Sequence, residues 1–165
     1  MILAVDVDYR GPEAVAAGVC FRTWRDEQAG RIYRSVVSEF GDYQPGDFYL
    51  RELPCILQLL REHHLAPDII VIDGYVYLGD KSRPGLGMHL FNTLGHKIPV
   101  IGVAKKPFKG TMPASEILRG NSARPLYITA AGMDIDTAKS CILSMYGKHR
   151  TPTLLKTADR ACRRF

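Results

Sequence analysis

The chain has 165 residues, 46% of them apolar, and 22 Lys and Arg against 17 Asp and Glu for a net charge of +5. That length suits one compact domain with a single core, so one domain over residues 1–165 is expected, with no obligatory protein partner. The composition excludes a disordered or fibrous chain, and no apolar run approaches the ~20 residues of a membrane span. The excess of cations admits a polyanionic partner without identifying one.

Ile2 to Tyr9 reads as a strand, because the apolar start Ile2-Leu3-Ala4-Val5 passes into an alternation of Asp6 and Asp8 with Val7 and Tyr9. Gly11-Pro12 breaks it. Ala14 to Trp24 and Arg31 to Phe40 are β-like and are separated by a polar stretch, which predicts an antiparallel meander of three strands. Turn residues fill Gly41 to Gly46. From Asp47 to His64 the positions Leu50, Leu53, Ile56, Leu57 and Leu60 recur at intervals of three and four, as in an amphipathic helix. Ile69-Ile70-Val71-Ile72 is uniformly apolar, so it predicts a central strand, ending at Asp73-Gly74.

Gly85 to Gly95 reads as a helix and Ile98 to Ala104 as a second central strand, ending at Lys105-Lys106; together they form a right-handed β-α-β unit. Leu126 to Thr129 predicts a short strand. A helix follows from about Asp134 to Met145, capped by Asp134 or the preceding turn, and the basic tail Lys148 to Phe165 carries one more.

This order predicts an α/β fold of ribonuclease H-like layout: a mixed sheet, with a three-strand antiparallel meander plus parallel strands, flanked by helices. The competing doubly wound nucleotide-binding fold lacks its G-x-G-x-x-G after the first strand, and no Walker A sequence occurs. Cys20, Cys55, Cys141 and Cys162 are far apart without a C-x-x-C pair, which favours buried free thiols over a zinc ribbon or a redox site. With no basic lead and apolar stretch at the N-terminus, a cytoplasmic location is expected.

Asp6 lies in an apolar strand and Asp73 at the C-terminal edge of another, where open α/β sheets place their ligands. If those strands are neighbours, both carboxylates reach one cation. Asp8 shares a face with Asp6, and spacing alone does not choose between them. Glu52 lies in the first turns of its helix, where a solvated carboxylate favoured by the helix dipole is the simpler reading.

Four segments taken together change that balance. They are Asp6-Val7-Asp8-Tyr9; Tyr43-Gln44-Pro45-Gly46 leading to Phe48-Tyr49-Leu50-Arg51-Glu52-Leu53-Pro54; Asp68-Ile69-Ile70-Val71-Ile72-Asp73-Gly74; and Pro99-Val100-Ile101-Gly102-Val103-Ala104-Lys105. In order and spacing they resemble the successive motifs of the endonuclease V family. The resemblance implies cleavage of a nucleic-acid strand at the second phosphodiester 3′ to deoxyinosine, in DNA and as a further candidate in inosine-containing RNA, as a step of DNA repair.

It also implies roles for particular residues. Asp6, Glu52 and Asp73 match the metal-binding carboxylates, with Mg²⁺ as the ion and Mn²⁺ as a substitute, and Lys105 matches a basic active-site residue. Tyr43, Gln44 and Pro45 match the wedge that supports strand opening, with Gln44 in place of an apolar residue. Phe48 and Gly74 fall in the base pocket. The echo of the family's end in Arg150-Thr151-Pro152 and Ala158-Asp159 makes Asp159 a candidate to approach the metal. Mg²⁺ on hard carboxylate oxygens suits phosphodiester hydrolysis, since it activates water and stabilises the leaving oxygen.

The chain departs from the family after Asp73-Gly74, where a glycine is replaced by Val76, the usual histidine is missing and the stretch to Pro84 is longer. His89 in the next helix is a candidate replacement. Val76, Tyr75 and Tyr77 bring bulk to this loop, which predicts a pocket less exclusive for hypoxanthine unless these side chains pack into the core. Two other classes of function compete with the nuclease reading: a non-catalytic nucleic-acid-binding module on the same fold, and a structure-selective nuclease.

Overall fold

Parity of side chains along the strands decides what each face of the sheet carries. A computed structural model describes residues 1–40, 49–80 and 83–164. Strands β1 (Ile2–Arg10), β2 (Glu13–Phe21) and β3 (Arg31–Val37) form the expected antiparallel meander, with Gly11 supplying the positive φ of the tight β1–β2 turn. Helix α1 (Tyr49–Glu62) leads into β4 (Ile69–Asp73), which pairs parallel to β1 with Ile2 opposite Ile69 and Val5 opposite Ile72. A short hairpin of β5 (Tyr77–Leu78) and β6 (Arg83–Pro84) precedes α2 (Leu86–Thr93), and β7 (Val100–Ala104) then pairs parallel to β4.

Beyond β7 the sheet departs from the parallel order expected of its later strands. After β8 (Glu116–Ile117), β9 (Leu126–Ala131) runs antiparallel to both β7 and β8, and the full order is β3-β2-β1-β4-β7-β9-β8. The cause lies in residues 105–125, all described, which hold β8 and a 3-10 turn at Pro113–Ser115 but no α-helix to carry the chain back across the sheet. Helices α3 (Ile135–Ser144) and α4 (Thr153–Arg163) complete the chain. The expected cap is in place: the Asp134 carboxylate accepts from the backbone N–H of Asp136 and Thr137.

Leu3, Val5, Ile70, Ile72 and Val100 point to one face and pack with Ile56, Leu59, Leu60 and Leu90 of α1 and α2. Ile2, Ala4, Val71, Ile101 and Val103 point to the other, against Ala138, Ile142, Leu154 and Ala158 of α3 and α4. By the same period of two, Asp6, Asp73 and Lys105 continue the second set, Asp6 in mid-β1 just past its pairing with β4, Asp73 at the carboxyl end of β4 and Lys105 just after β7. The four cysteines are free, although only Cys55 and Cys162 are buried, Cys20 and Cys141 being half-buried. Among the described residues no helix is long and apolar enough to cross a membrane.

The loop after β4 is seated on β7 at Gly102. A methyl group there would stand 2.6 Å from the Gly74 carbonyl oxygen, 2.7 Å from Thr129 Oγ1 and 3.0 Å from the Val76 nitrogen. We expect Gly102→Ala to lower stability by about 1–3 kcal/mol through overpacking, read by urea or thermal unfolding. An unchanged midpoint would show that the 74–76 loop lifts from β7 without cost.

Candidate active site

Asp6 of β1, Asp73 at the end of β4, Glu52 of α1 and Asp159 of α4 interact electrostatically. Burial, then the neighbouring Asp73 charge, raise the Asp6 carboxyl to about 7, against an opposing hydrogen bond from the Val7 N–H at 2.9 Å. Glu52 reaches in from the first turn of α1, and burial together with Asp6 and Asp73 pushes it to about 8. Asp73 is also raised by the protein packed around it, although its side chain keeps 45% of its surface open, and Lys105 opposes that shift from 3.9 Å.

Asp159 behaves differently. Burial pulls its carboxyl upward, but the Arg163 guanidinium at 2.8 Å overcomes this and holds it below the ordinary carboxylate value. Among the described residues, ligand atoms of Asp6, Asp159 and Cys162 lie within 4.8 Å of one another. Asp8, the alternative along β1, is taken up by an ion pair with Arg10 at 3.3 Å. Asp6 is therefore the carboxylate of β1 that meets the others.

Such a cluster of desolvated oxygens suits a hard divalent cation, because the cations facing it (Lys105, Arg51 and Arg163) do not offset the rise of Asp6, Glu52 and Asp73, and these carboxyls resist ionising together. Next to it opens a cavity of about 320 Å³ lined by Tyr49, Glu52, Asp73, Gly74, Tyr75, Leu86 and Phe108 among others. Gly74 holds φ +136, where a side chain would be strained, and its N–H donates to the Val103 carbonyl at 3.0 Å. The Tyr75 hydroxyl donates to the Lys106 carbonyl at 2.5 Å, and its ring meets Phe108 edge-on at 6.4 Å.

Other expectations fall elsewhere. His89 stacks on Tyr49 with centroids 3.7 Å apart, so it backs a ring of the cavity wall. Val76 does not enter the cavity: its side chain is fully buried, seated over Gly87, where an added methyl would stand 2.5 Å from Val76 Cγ2. The expected bulk at the pocket is thus absorbed by the core at this residue, while Tyr75 remains in the wall. Tyr43, Gln44, Pro45 and Phe48 lie outside the described residues.

Four residues to which the sequence reading gave no role at the site support it. Cys162 and Arg163 follow Asp159 by three and four positions on α4, a spacing that was available as a signal. Arg150 donates to the carbonyls of Lys105, Arg124 and Pro125 and so holds the backbone that carries Lys105. Arg119, 5% exposed, spends its guanidinium on the carbonyls of Met145, Gly147, His149 and Arg150.

Residues 1–122 match the family model for Endonuclease V. An endonuclease V of Streptomyces avermitilis is 31% identical over 142 residues, covering 74% of this chain and 61% of that protein. The matches span 59–61% of the length of the curated Streptomyces and Nocardia relatives. The crystal structure of the S. avermitilis endonuclease V superposes with a TM-score of 0.77 at 29% identity, covering 99% of this chain and 79% of that one. The Ciona intestinalis endonuclease V, in complex with a 24mer DNA containing an inosine followed by a ribo-adenosine, has a TM-score of 0.77 at 18% identity over 98% of this chain and 84% of that one, a likeness of fold.

The raised carboxyls make the ion-free protein sensitive to alkali. A carboxyl with a raised folded-state pKa contributes stability that is present at low pH and is lost as pH climbs through about 7 for Asp6 and about 8 for Glu52. In EDTA the thermal midpoint should fall as pH rises from about 4 to about 8, and Asp6→Asn should flatten that fall. A midpoint that rises over this range would contradict the clustering of these groups.

Proposed function

The chain belongs to the endonuclease V family, and from that premise we propose that it is a divalent-metal-dependent endonuclease that cleaves a DNA strand 3′ to deoxyinosine. The convergence of Asp6, Glu52 and Asp73 beside an aromatic cavity carries this reading. These carboxylates, with Asp159, are the residues to hold the ion. Mg²⁺, or Mn²⁺ in its place, supplies Lewis acidity that activates water and stabilises the leaving oxygen.

The chain's own groups do the remainder. Lys105 lies beside Asp73 at the rim, where its ammonium neutralises a phosphate of the bound strand. The cavity takes the extruded base between apolar and aromatic walls, with backbone groups of the Gly74–Tyr75 loop available to its polar edge. His89 sets the position of the Tyr49 ring. On sequence grounds Tyr43, Gln44 and Pro45 match the family's wedge and Phe48 its base pocket. DNA bearing an inosine, the ligand of the Ciona relative, is the substrate to test first.

With labelled oligonucleotides differing by one inosine, cleavage should occur in Mg²⁺ or Mn²⁺, cease in EDTA and favour the inosine strand. Asp6→Asn, Glu52→Gln and Asp73→Asn should each cost more than the roughly 10–100-fold typical of losing an outer-shell partner, with circular dichroism unchanged. Cleavage that persists in EDTA, or that ignores the inosine, would overturn the proposal.

The cavity wall gives a second test. Val76→Ala should cost about 1.5–3 kcal/mol of stability and leave the inosine-to-adenine ratio of kcat/KM as it was, because that side chain is core. Tyr75→Ala should lower the ratio. The reverse pattern would return Val76 to the pocket.

A further inference from the structure

Helix α4 brings a sulfur atom to the carboxylates. Cys162 lies three residues after Asp159, so both side chains share one side of the helix. With Ala161 it packs on Val15 and Ala17 of β2, leaving the thiol 1% exposed behind the site. The thiol donates to the Asp159 carbonyl at 3.1 Å. The cysteine sulfur and one carboxylate oxygen each from Asp6 and Asp159 lie within 4.8 Å of one another, drawn from a strand and a helix that pack together.

The donor set matters because it is mixed. Mg²⁺ takes oxygen ligands and retains water, so a neighbouring sulfur adds nothing to its binding. Zn²⁺ and Cd²⁺ accept thiolate together with carboxylate, and three protein ligands with a remaining open position are a familiar arrangement for zinc. We propose that the carboxylate centre is also a site for thiophilic divalent ions of the Zn²⁺ and Cd²⁺ class, with Cys162 ligating alongside Asp6 and Asp159. This rests on the reading of Asp6 as a metal ligand. On binding, a metal–sulfur bond forms, the thiol proton passes to solvent and no oxidation state changes. Thiophilic ions then compete with Mg²⁺ for the same carboxylates.

The test is a Cd²⁺ titration of the full, ion-free chain without nucleic acid, followed by the ultraviolet sulfur-to-cadmium charge-transfer band. The wild-type chain should develop the band and saturate at one ion. Cys162→Ser should abolish the band and weaken Cd²⁺ binding by about tenfold or more. Asp159→Asn, which keeps the thiol, should shift the titration to higher Cd²⁺, and it decides the matter if Cys162→Ser fails to fold. A band that survives Cys162→Ser must come from Cys20, Cys55 or Cys141 and overturns the proposal. Cd²⁺ binding by the wild type without a band, or an Asp159→Asn titration identical to wild type, overturns it equally. The band is read without substrate, so a failure of inosine-directed cleavage leaves this result standing, and a failed titration leaves the cleavage reading standing.

Discussion

Carboxyl groups that share one poorly solvated edge of a sheet repel each other's ionisation, and the rest of this molecule is arranged around that repulsion. Asp6 and Glu52 are both raised by burial and by their acidic neighbours, and the opposing charges of Lys105 on Asp6 and Arg51 on Glu52 are outweighed. Natural folds seldom leave such a group without a compensating charge. On the proposed reading a divalent cation supplies that charge, which would tie the stability of the edge to the ion.

What brings these groups together is strand register. Val5 of β1 stands opposite Ile72 of β4, and Asp73 stands opposite Val103 of β7, so the residues that follow emerge at one level of the sheet. A slip of one residue in either pairing would turn a carboxylate into the opposite apolar layer. The core on both faces therefore holds the carboxylate cluster in register as much as it stabilises the fold. A further layer fixes the basic side: Arg119 holds the segment from Met145 to Arg150, and Arg150 in turn holds the Lys105 backbone.

Much of this was legible in the residues. The uniform apolar runs marked β4 and β7 as central strands, and the polar residues ending them marked the edge where the carboxylates gather. The choice between Asp6 and Asp8 was not legible, since both share a face; it depends on Arg10, which pairs with Asp8 and reaches the carbonyls of Cys162 and Arg163 from the far end of the chain. The antiparallel sense of β9 was hidden for a related reason: it follows from the lack of a crossover helix in 105–125, and a short apolar segment carries no mark of its direction. The aromatic wall depends on a contact between Tyr75 and Lys106 that no local pattern announces.

The segment after Asp73 shows how a chain can depart from its family's sequence and keep its architecture. A β-branched residue at position 76 needs room, and the room comes from two neighbours without side chains. Gly87 accepts the Val76 methyl groups, while Gly102 accepts the loop backbone itself. The Val76 N–H is satisfied by Thr129 Oγ1 at 2.8 Å and its carbonyl by the Gly85 N–H, so burying this stretch leaves neither backbone group without a partner. The Val76 bulk is directed into the core between β4, β7 and α2, while Gly74, Tyr75 and Leu78 of this segment line the cavity. Of the altered stretch, Tyr75, anchored on the Lys106 carbonyl, and Leu78 line the cavity, so the proposed function assigns them the contacts with the base.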